Sequence, residues 1–373
     1  MSEWYRKDLF KIIISFIIFL LSVDFFLGEQ IINYANKKSF LLKPSENLKL
    51  IIENEKRYRI SHPVFHHTLI ENINTKSQYG NLIYKTCTDI NGFRIHCGEI
   101  RKFDKDIVLI GDSFTEGIGL NYEKTFAGML SNEFKINFHN MGVSSYSPII
   151  YKKKIKFFLE QNIINPKDVI VFLDISDIED EFYYYECKGK KSVCSKEDFG
   201  QYPLKLPLLH ESSKEYYFPF FKKLTNLIRD TKRSLFSKFK NPKIKKDNIR
   251  AGWTYLKKNN KVNIGIENAI KNMEELHSYL KSKNVQMSIA VYPWREQILY
   301  GKEESVQVKI WRDFCIDRCK EFINFFPLFF DETKTLSKKK IVKKYYLKGD
   351  SHFNMVGNKK IFDKLKKINF IKD

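Results

Sequence analysis

The chain has 373 residues, of which 43% are hydrophobic, and this is enough to bury the core of a large domain and excludes a disordered protein. Lysine and arginine number 65 against 44 acidic residues, so the formal net charge is +21 at pH 7. The basic residues are spread along the chain without a nucleic-acid-binding motif, so we expect no nucleic-acid partner. The charge favours attraction to anionic lipid headgroups or acidic glycans instead.

The first predicted element is an apolar transmembrane helix over residues 9–27, which follows a short tail over residues 1–8. A helix of this length rises about 28 Å, which is enough to cross the hydrocarbon layer of a membrane. Arg6 and Lys7 precede it, so the positive-inside rule predicts a cytoplasmic tail and an extracytoplasmic remainder, either periplasmic or at the cell surface. A cleaved signal peptide is the alternative, but the run ends in Phe-Phe-Leu-Gly at 25–28, which does not resemble a cleavage site.

Six cysteines fall as three local couples: Cys87 with Cys97, Cys187 with Cys194, and Cys315 with Cys319. Short loops closed by disulfides are typical of an oxidising compartment, which agrees with a location outside the cytoplasm. Zinc binding is the alternative, although no couple has the tight Cys-x-x-Cys spacing. Cys315 and Cys319 would lie one helical turn apart, which is awkward for a disulfide, so this couple is the least secure.

A polar lead-in over residues 28–103 follows the helix, and its Asn91-Gly92 pair predicts a tight turn in a small β-containing segment. Strands and helices then alternate over residues 104–373. The predicted strands are 106–110, 136–139, 168–173 and 287–292, and the predicted helices are 121–133, 149–162, 264–283, 304–320 and 354–367. Such alternation predicts an α/β fold with a mostly parallel sheet between two helical layers.

Residues 178–260 interrupt this alternation, and we interpret them as an insertion beside the active-site edge. The insertion carries aromatic residues over 182–185 and a basic helical stretch near 213–240. Two interpretations stay open for it. It is a substrate lid or membrane-facing surface, or it packs on its own domain.

Two short motifs carry the chemistry. Gly111-Asp112-Ser113 follows a buried strand, where the carboxyl ends of a parallel sheet gather ligand and catalytic groups. Near the other end of the chain, Asp350 lies two residues before His352 on a loop. An aspartate in that position can accept the Nδ1 proton of the imidazole, which leaves Nε2 to take a proton from a serine. Either motif alone is weak, but together they predict Ser113 as nucleophile, His352 as base and Asp350 as its orienter.

Over residues 104–370 these two motifs resemble the SGNH/GDSL hydrolase superfamily, which has a Gly-Asp-Ser block early and an Asp/His block late in the domain. The resemblance implies a three-layer, flavodoxin-like α/β/α sandwich and an acyl-serine mechanism. The Asp-x-His spacing of 350–352 looks like the form in membrane-linked relatives, including polysaccharide O-acetyltransferase branches.

The resemblance also implies the donors of an oxyanion hole. The main-chain N–H groups of Ser113 and Ser145 are the first candidates. Gly142, which lies earlier in the loop over residues 140–145, is another. Ser176 stands where the family has an asparagine whose amide is a further donor. Because loss of one such donor typically costs on the order of 3 kcal/mol of transition-state stabilisation, this replacement predicts weaker or rearranged catalysis.

Three further residues are candidates for substrate binding. Asp112 adjoins the serine, Trp294 could stack on a sugar, and Arg295 could pair with an anionic group. Core packing and an ordinary surface arginine explain Trp294 and Arg295 equally well. His62, His66 and His67 cluster in the lead-in without nearby ligands of other types, so we expect neither a metal nor another cofactor.

These features predict a membrane-anchored serine esterase or O-acyltransferase for acyl esters, such as acetyl esters, of cell-envelope or exported glycans. The alternative is a weak or inactive relative that keeps the fold to bind a glycan or an envelope-assembly partner. The Ser176 replacement favours the alternative, whereas the intact serine, histidine and aspartate set opposes it.

Overall fold

The computed structural model describes residues 3–38, 58–79, 82–98, 103–183, 249–256 and 260–372. The chain divides into two compact units: Met1–Lys49 with Leu206–Lys243, and Leu50–Lys205 with Ile244–Asp373. The lead-in from Leu50 onward therefore belongs to the same unit as the α/β core.

The described part of the first unit is a single helix, α1 (Glu3–Lys38). Its segment Phe10–Leu27 has a mean hydropathy of 2.4 and is long and apolar enough to cross a membrane. The helix extends beyond the predicted span of 9–27 at both ends. By length and composition it is a candidate membrane anchor or signal sequence.

The lead-in folds into two small antiparallel sheets. One consists of β1 (Arg59–His62) and β2 (His66–Leu69), and the other of β3 (Asn74–Tyr79), β4 (Leu82–Thr88) and β5 (Arg94–Ile95). Gly92 lies in the turn before β5 at a φ of 72°, and a Cβ there would come within 2.5 Å of the Leu69 carbonyl oxygen. This turn requires glycine because it combines left-handed backbone with a close approach.

A five-stranded sheet forms the centre of the second unit. Its strands are β6 (Asp106–Ile110), β7 (Asn137–Asn140), β8 (Asp168–Leu173), β9 (Gln286–Val291) and β10 (Phe322–Asn324), in the order β10-β9-β8-β6-β7. All neighbouring strands are parallel, and β8 is buried along its whole length. The predicted α/β class is thus confirmed, and the strand order is that of flavodoxin-like folds.

The topology selects one edge of the sheet for ligands. β6 pairs with β7 on one side and with β8 on the other, so the connections after β6 and β7 leave in opposite directions. Such a switch point opens a crevice at the carboxyl ends of the strands. The Gly-Asp-Ser motif begins directly after β6.

Helices form two groups around the sheet. The described helices of this unit are α2 (Ser113–Glu116), α3 (Phe126–Glu133), α4 (Pro148–Glu160), α5 (Ser176–Tyr183), α6 (Ile249–Gly252), α7 (Asn260–Ser282), α8 (Arg295–Tyr300), α9 (Val306–Cys315), α10 (Phe326–Phe330), α11 (Lys338–Tyr345), α12 (Met355–Leu365) and α13 (Asn369–Lys372). Single 3₁₀ turns lie at Tyr122–Lys124 and Asp331–Lys334. α4, α5 and α7 pack together, and so do α3, α11 and α12. Right-handed crossovers through α3 and α4 put these groups on opposite faces of the sheet.

One predicted helix ends several residues earlier in the structure than the sequence indicates. The helix predicted over 304–320 ends at Cys315, where the chain turns through Asp317 at a φ of 58°. This turn brings the Cα atoms of Cys315 and Cys319 to 4.8 Å, and the two form a disulfide. The expectation that helical spacing makes a Cys315–Cys319 disulfide awkward was therefore wrong, because Cys319 lies outside the helix.

Cys87 and Cys97 also form a disulfide, so in both described couples the two cysteines are paired with each other, as the sequence predicts. Cys187 and Cys194 lie outside the described residues.

The insertion predicted over 178–260 is only partly described. Helix α5 runs from Ser176 to Tyr183 without interruption, so regular structure continues past residue 178. Helix α6 and the residues up to 256 are again described. Most of the predicted aromatic and basic parts of the insertion, over 184–248, lie outside the described residues.

Candidate active site

Ser113 is the first residue of the short helix α2, directly after β6. The chain turns tightly there, since a Cβ on Gly111 would come within 2.2 Å of Thr115 Oγ1. The side chain of Asp112 accepts a hydrogen bond from the Phe114 N–H at 3.0 Å and caps the helix. The turn therefore fixes the hydroxyl of Ser113 at the switch point of the sheet.

His352 lies on a closed loop between α11 and α12. Tyr346 and Phe353 form an isolated β-bridge, and the Leu347 N–H donates to the His352 carbonyl at 2.8 Å. Asn354 caps α12 by accepting from the N–H of residue 356 at 2.9 Å. These contacts hold both ends of the loop, so the backbone that carries the imidazole of His352 is fixed in position.

The structure brings the three predicted residues together. His352 Nε2 lies 2.7 Å from Ser113 Oγ, and His352 Nδ1 lies 2.5 Å from Asp350 Oδ1. Asp350 Oδ1 also accepts from the main-chain N–H of His352 at 2.9 Å. This is the geometry that an alcohol, an imidazole and a carboxylate need for nucleophilic catalysis.

The charge state of Asp350 fixes the tautomer of the imidazole. Burial alone would raise the pKa of Asp350, but the hydrogen bonds and charge of His352, helped by Tyr79, lower it to about 2. An ionised carboxylate only accepts hydrogen bonds, so His352 Nδ1 carries the proton. Nε2 of the neutral ring is then the acceptor facing the Ser113 hydroxyl.

Aromatic side chains pack against the imidazole of His352. The Phe114 ring lies 4.7 Å from the His352 ring, centroid to centroid, and 5.2 Å from the Phe353 ring. Its other neighbour is Tyr292 at 4.8 Å, at the carboxyl end of β9. Packing of this kind limits the rotation of the imidazole.

The predicted oxyanion loop is held by the lead-in. The N–H of Ser144 donates to Glu116 at 2.7 Å, and the Ser144 carbonyl contacts His67 Nε2 at 2.8 Å. Glu116 in turn is paired with Arg59 at 2.8 Å, and both side chains are buried. Ser145 follows at a φ of 64°, in the left-handed region that favours glycine.

The turn at residues 111–113, which carries Ser113, is called the nucleophile turn. Arg94 of β5 holds the segment 116–120, which follows that turn. Its guanidinium is buried and donates to the carbonyl oxygens of Glu116 and Gly117, both at 2.5 Å, and also to that of Leu120. Buried carbonyl groups need such partners, because an unpaired one is costly. The lead-in therefore supports the backbone on which Ser113 lies.

The contacts of two predicted oxyanion donors favour other roles. The Gly142 N–H donates to the side chain of Asn140 at 3.1 Å, and a Cβ on Gly142 would come within 2.7 Å of Thr115. The Ser176 hydroxyl donates to Asp174 at 2.7 Å. Gly142 therefore serves close packing, and Ser176 closes the turn that opens α5.

Two predicted substrate contacts are corrected. Asp112 is only 2% exposed, and it accepts from the Tyr292 hydroxyl at 3.0 Å, so it faces the interior. Burial and the neighbouring Asp174 raise its pKa well above the usual value. Trp294 is 7% exposed and donates its indole N–H to Asp174 at 2.8 Å. Neither side chain is available to a sugar, because both complete a buried polar cluster behind the serine.

Arg295 stays a candidate. Its Nε lies 3.0 Å from Glu296, its own neighbour in the chain. Burial raises the pKa of Tyr79, and the positive charge of Arg295 opposes that rise. The guanidinium therefore lies within electrostatic range of the Tyr79 hydroxyl, which itself contacts Asp350.

Lys154 of α4 is a buried base below the oxyanion loop. Its Nζ donates to the Met141 carbonyl at 3.0 Å, and burial lowers its pKa from 10.5 to about 7, although Glu116 and Asp89 oppose the shift. The folded state thus binds fewer protons than the unfolded state between these two values. Stability contributed by this group rises with pH across that window, and the burial penalty is fully present below it.

We expect Lys154→Met to relieve this penalty. The gain in unfolding free energy over the wild type should be larger at pH 6 than at pH 10, by on the order of 3 kcal/mol. Chemical unfolding of the full chain in detergent at several pH values measures the difference. A gain that does not vary with pH would show that Lys154 is not a buried titrating group.

The lead-in residues around the site were missed by sequence reasoning. The supporting side chains are Arg59, His67, Tyr79 and Arg94. No motif marks them, and the site residues Glu116, Ser144 and Asp350 that they contact lie between 22 and 271 positions away in the chain. His67, one of the three histidines noted in the sequence, is buried, and its ring contacts the carbonyl of Ser144. Burial lowers the pKa of His67 well below the usual value.

No family model matches the chain, and no curated protein sequence matches it. Solved structures, in contrast, match the chain. The chain is similar to a member of the lipolytic protein G-D-S-L family from Veillonella parvula, with 12% identity and a TM-score of 0.41 over 71% of this chain and 98% of that one.

Two further solved structures are esterases by name. The psychrotrophic esterase EstA from Pseudoalteromonas has 11% identity and a TM-score of 0.35, over 72% of this chain and 100% of that one. The acetylxylan esterase Axe2 from Geobacillus stearothermophilus has 11% identity and a TM-score of 0.38, over 71% of this chain and 94% of that one.

Proposed function

We propose that this chain is a serine esterase or O-acyltransferase of the SGNH type, acting on acyl esters of cell-envelope or exported glycans. The observation that carries the proposal is the 2.7 Å contact between Ser113 Oγ and His352 Nε2, with Asp350 bound to the other ring nitrogen. Two motifs 239 positions apart meet at the switch point of a parallel sheet, where ligands bind in this topology.

The reaction follows from the contacts. Ser113 Oγ attacks the carbonyl carbon of the ester while His352 Nε2 takes its proton. Main-chain N–H groups of Ser113 and Ser145 hold the negative oxygen that develops. The intermediate then expels the alcohol, which takes the proton from His352 and leaves an acyl group on Ser113. Water or a sugar hydroxyl enters next, loses its proton to His352 and attacks the acyl carbon; the bond to Ser113 Oγ breaks, and Oγ regains the proton from His352.

Several features support the location and substrate class. The two described disulfides are typical of an oxidising compartment, and Arg6 and Lys7, which lie in α1 before its apolar segment, favour a cytoplasmic start with the remainder outside. The surface beside Ser113 includes the apolar residues Ile118 and Phe353, which agrees with contact to the acyl part of an ester. Arg295 near the site suits an anionic glycan.

A second candidate function rests on Ser176. Because its hydroxyl is bound to Asp174, no side-chain donor replaces the family's asparagine at this position. A protein with a weak oxyanion hole could use the same crevice to bind an acylated glycan or an assembly partner without turnover. Intact contacts among Ser113, His352 and Asp350 favour the enzyme.

The test uses the full chain in detergent micelles with p-nitrophenyl acetate, with and without an oligosaccharide acceptor. We expect release of p-nitrophenol, and mass spectrometry then separates free acetate from acetylated sugar. Acetylated sugar identifies a transferase, and acetate alone identifies an esterase. Absence of both products, together with no labelling by a fluorophosphonate probe, would overturn the enzyme and leave the binding function.

A further inference from the structure

Tyr79 reaches the active site from outside the α/β core. It is the last residue of β3 in the lead-in, and its hydroxyl donates to Asp350 Oδ2 at 2.9 Å. The same hydroxyl lies 3.3 Å from His352 Nδ1, and the two rings meet edge to face at 5.3 Å. Tyr79 therefore contacts both supporting members of the serine, histidine and aspartate set.

The two carboxylate oxygens of Asp350 accept hydrogen bonds from different residues. Oδ1 serves His352 through the ring N–H and the main-chain N–H, whereas Oδ2 serves Tyr79. The Asp350 side chain is 29% exposed and lies on a loop, so packing alone does not fix its rotation. A hydrogen bond to the second oxygen restricts the rotation of the carboxylate plane relative to the imidazole.

The lead-in sheet gives Tyr79 a fixed position. Tyr79 pairs with Leu82 across the β3–β4 hairpin, and β4 is joined to the following loop by the Cys87–Cys97 disulfide. A Cβ on Gly119 would come within 3.5 Å of the Tyr79 ring, so the hairpin also packs against the loop that follows the nucleophile turn. The hydroxyl is thus held by a different part of the chain from the loop that it contacts.

We propose that Tyr79 is a positioning residue of the active site, which orients the Asp350 carboxylate toward His352 Nδ1 and makes the lead-in sheet a required part of the catalytic centre. This inference rests on the proposed function. Burial, with the charge of Asp350, raises the pKa of Tyr79, so the phenol remains a hydrogen-bond donor throughout the working range. The role does not require proton transfer by Tyr79, because the imidazolium formed in the reaction is stabilised by Asp350 itself.

The test is Tyr79→Phe, which keeps the ring and removes the hydroxyl. Loss of a hydrogen bond to a charged group predicts about a tenfold lower kcat for p-nitrophenyl acetate, with KM unchanged and an unchanged melting temperature. Tyr279→Phe is the matched control, since the Tyr279 hydroxyl has no hydrogen-bond partner among the described residues and lies on α7. We expect its kinetics to equal those of the wild type.

A double-mutant cycle separates positioning from general support. In an Asp350→Ala background, Tyr79→Phe should lower kcat by less than twofold, because the group that Tyr79 orients is gone. A tenfold loss in both backgrounds, or no loss in the single variant, would overturn the proposal.

A measurement without turnover keeps this proposal distinct from the proposed function. Proton NMR of the full chain with ¹⁵N-labelled histidine detects the deshielded Nδ1 proton that a short bond to a carboxylate produces. We expect the His352 signal to be present in the wild type, absent in Asp350→Ala, and shifted or broadened in Tyr79→Phe. An unchanged signal in Tyr79→Phe contradicts the positioning role even if the protein has no esterase activity.

Discussion

Ser113→Ala is expected to lower kcat/KM for p-nitrophenyl acetate by a factor of about 10⁴ or more and to abolish labelling by a fluorophosphonate probe. Among the described residues, this hydroxyl is the group within hydrogen-bond distance of His352 Nε2 that can be acylated. Without it, the imidazole and the oxyanion donors have no nucleophile to serve. Initial rates and in-gel labelling of the full chain measure the two effects.

Ser278→Ala is a suitable control for that experiment. Ser278 lies on the exposed side of α7, and its hydroxyl donates only to a carbonyl within the same helix. We expect full activity and full labelling from this variant. Labelling that persists in Ser113→Ala, with the modified peptide mapped elsewhere, would remove Ser113 from the mechanism.

Glu116→Gln is expected to have the largest effect on stability. Glu116 accepts from Arg59 Nη2 at 2.8 Å and from the Ser144 N–H at 2.7 Å, and the Arg59 and Glu116 side chains are only 7% and 2% exposed. Burial lowers the pKa of Arg59, but the charge of Glu116 raises it overall, so the guanidinium stays charged. Removing the carboxylate leaves a buried charge uncompensated, which costs about 3 to 5 kcal/mol of unfolding free energy.

The companion variant tests the cause of that loss. Arg59→Met combined with Glu116→Gln removes both charges, so it should recover most of the lost unfolding free energy. Chemical denaturation of the full chain, followed by tryptophan fluorescence, compares the single and double variants. A loss below about 1 kcal/mol in the single variant would mean that the pair behaves as a surface salt bridge and does not hold the lead-in.

The Glu116 variants also link stability to chemistry. Glu116 follows Ser113 within α2 and holds the N–H of Ser144, the neighbour of the proposed donor Ser145. The nucleophile turn, the oxyanion loop and the lead-in therefore share one buried carboxylate. Loosening this contact should lower kcat as well as the unfolding free energy, because the donors must be held in place before the reaction begins.

Local pattern was enough to predict the main elements and the central motif pair. The strands at 106–110 and 168–173 have the predicted bounds, because short apolar runs bounded by turn signals are read from neighbouring residues alone. The meeting of Ser113 with His352 was predicted from the two motifs taken together, because a serine after a parallel strand and an Asp-x-His loop near the chain's end complement each other chemically. Strand β10, by contrast, was not predicted, since three residues give too short a period to recognise.

Burial direction limited the predictions around the site. Trp294 and Asp112 have the residue types that bind sugars and polar substrates, but both complete the buried cluster with Asp174 and Tyr292. Residue type does not reveal which way a side chain points after a strand ends. Such a choice depends on the neighbouring strands and on the polar groups that they bury.

By itself, the sequence determined the α/β class, the apolar N-terminal helix and the serine and histidine motifs, because each depends on periodicity or spacing within a few residues. Only the tertiary structure decided that the lead-in supports the site, through Arg59, Arg94 and Tyr79. The contact of Tyr79 with Asp350 joins residues 271 positions apart. Its formation depends on how a small antiparallel sheet packs against the core, and local sequence carries no record of that packing.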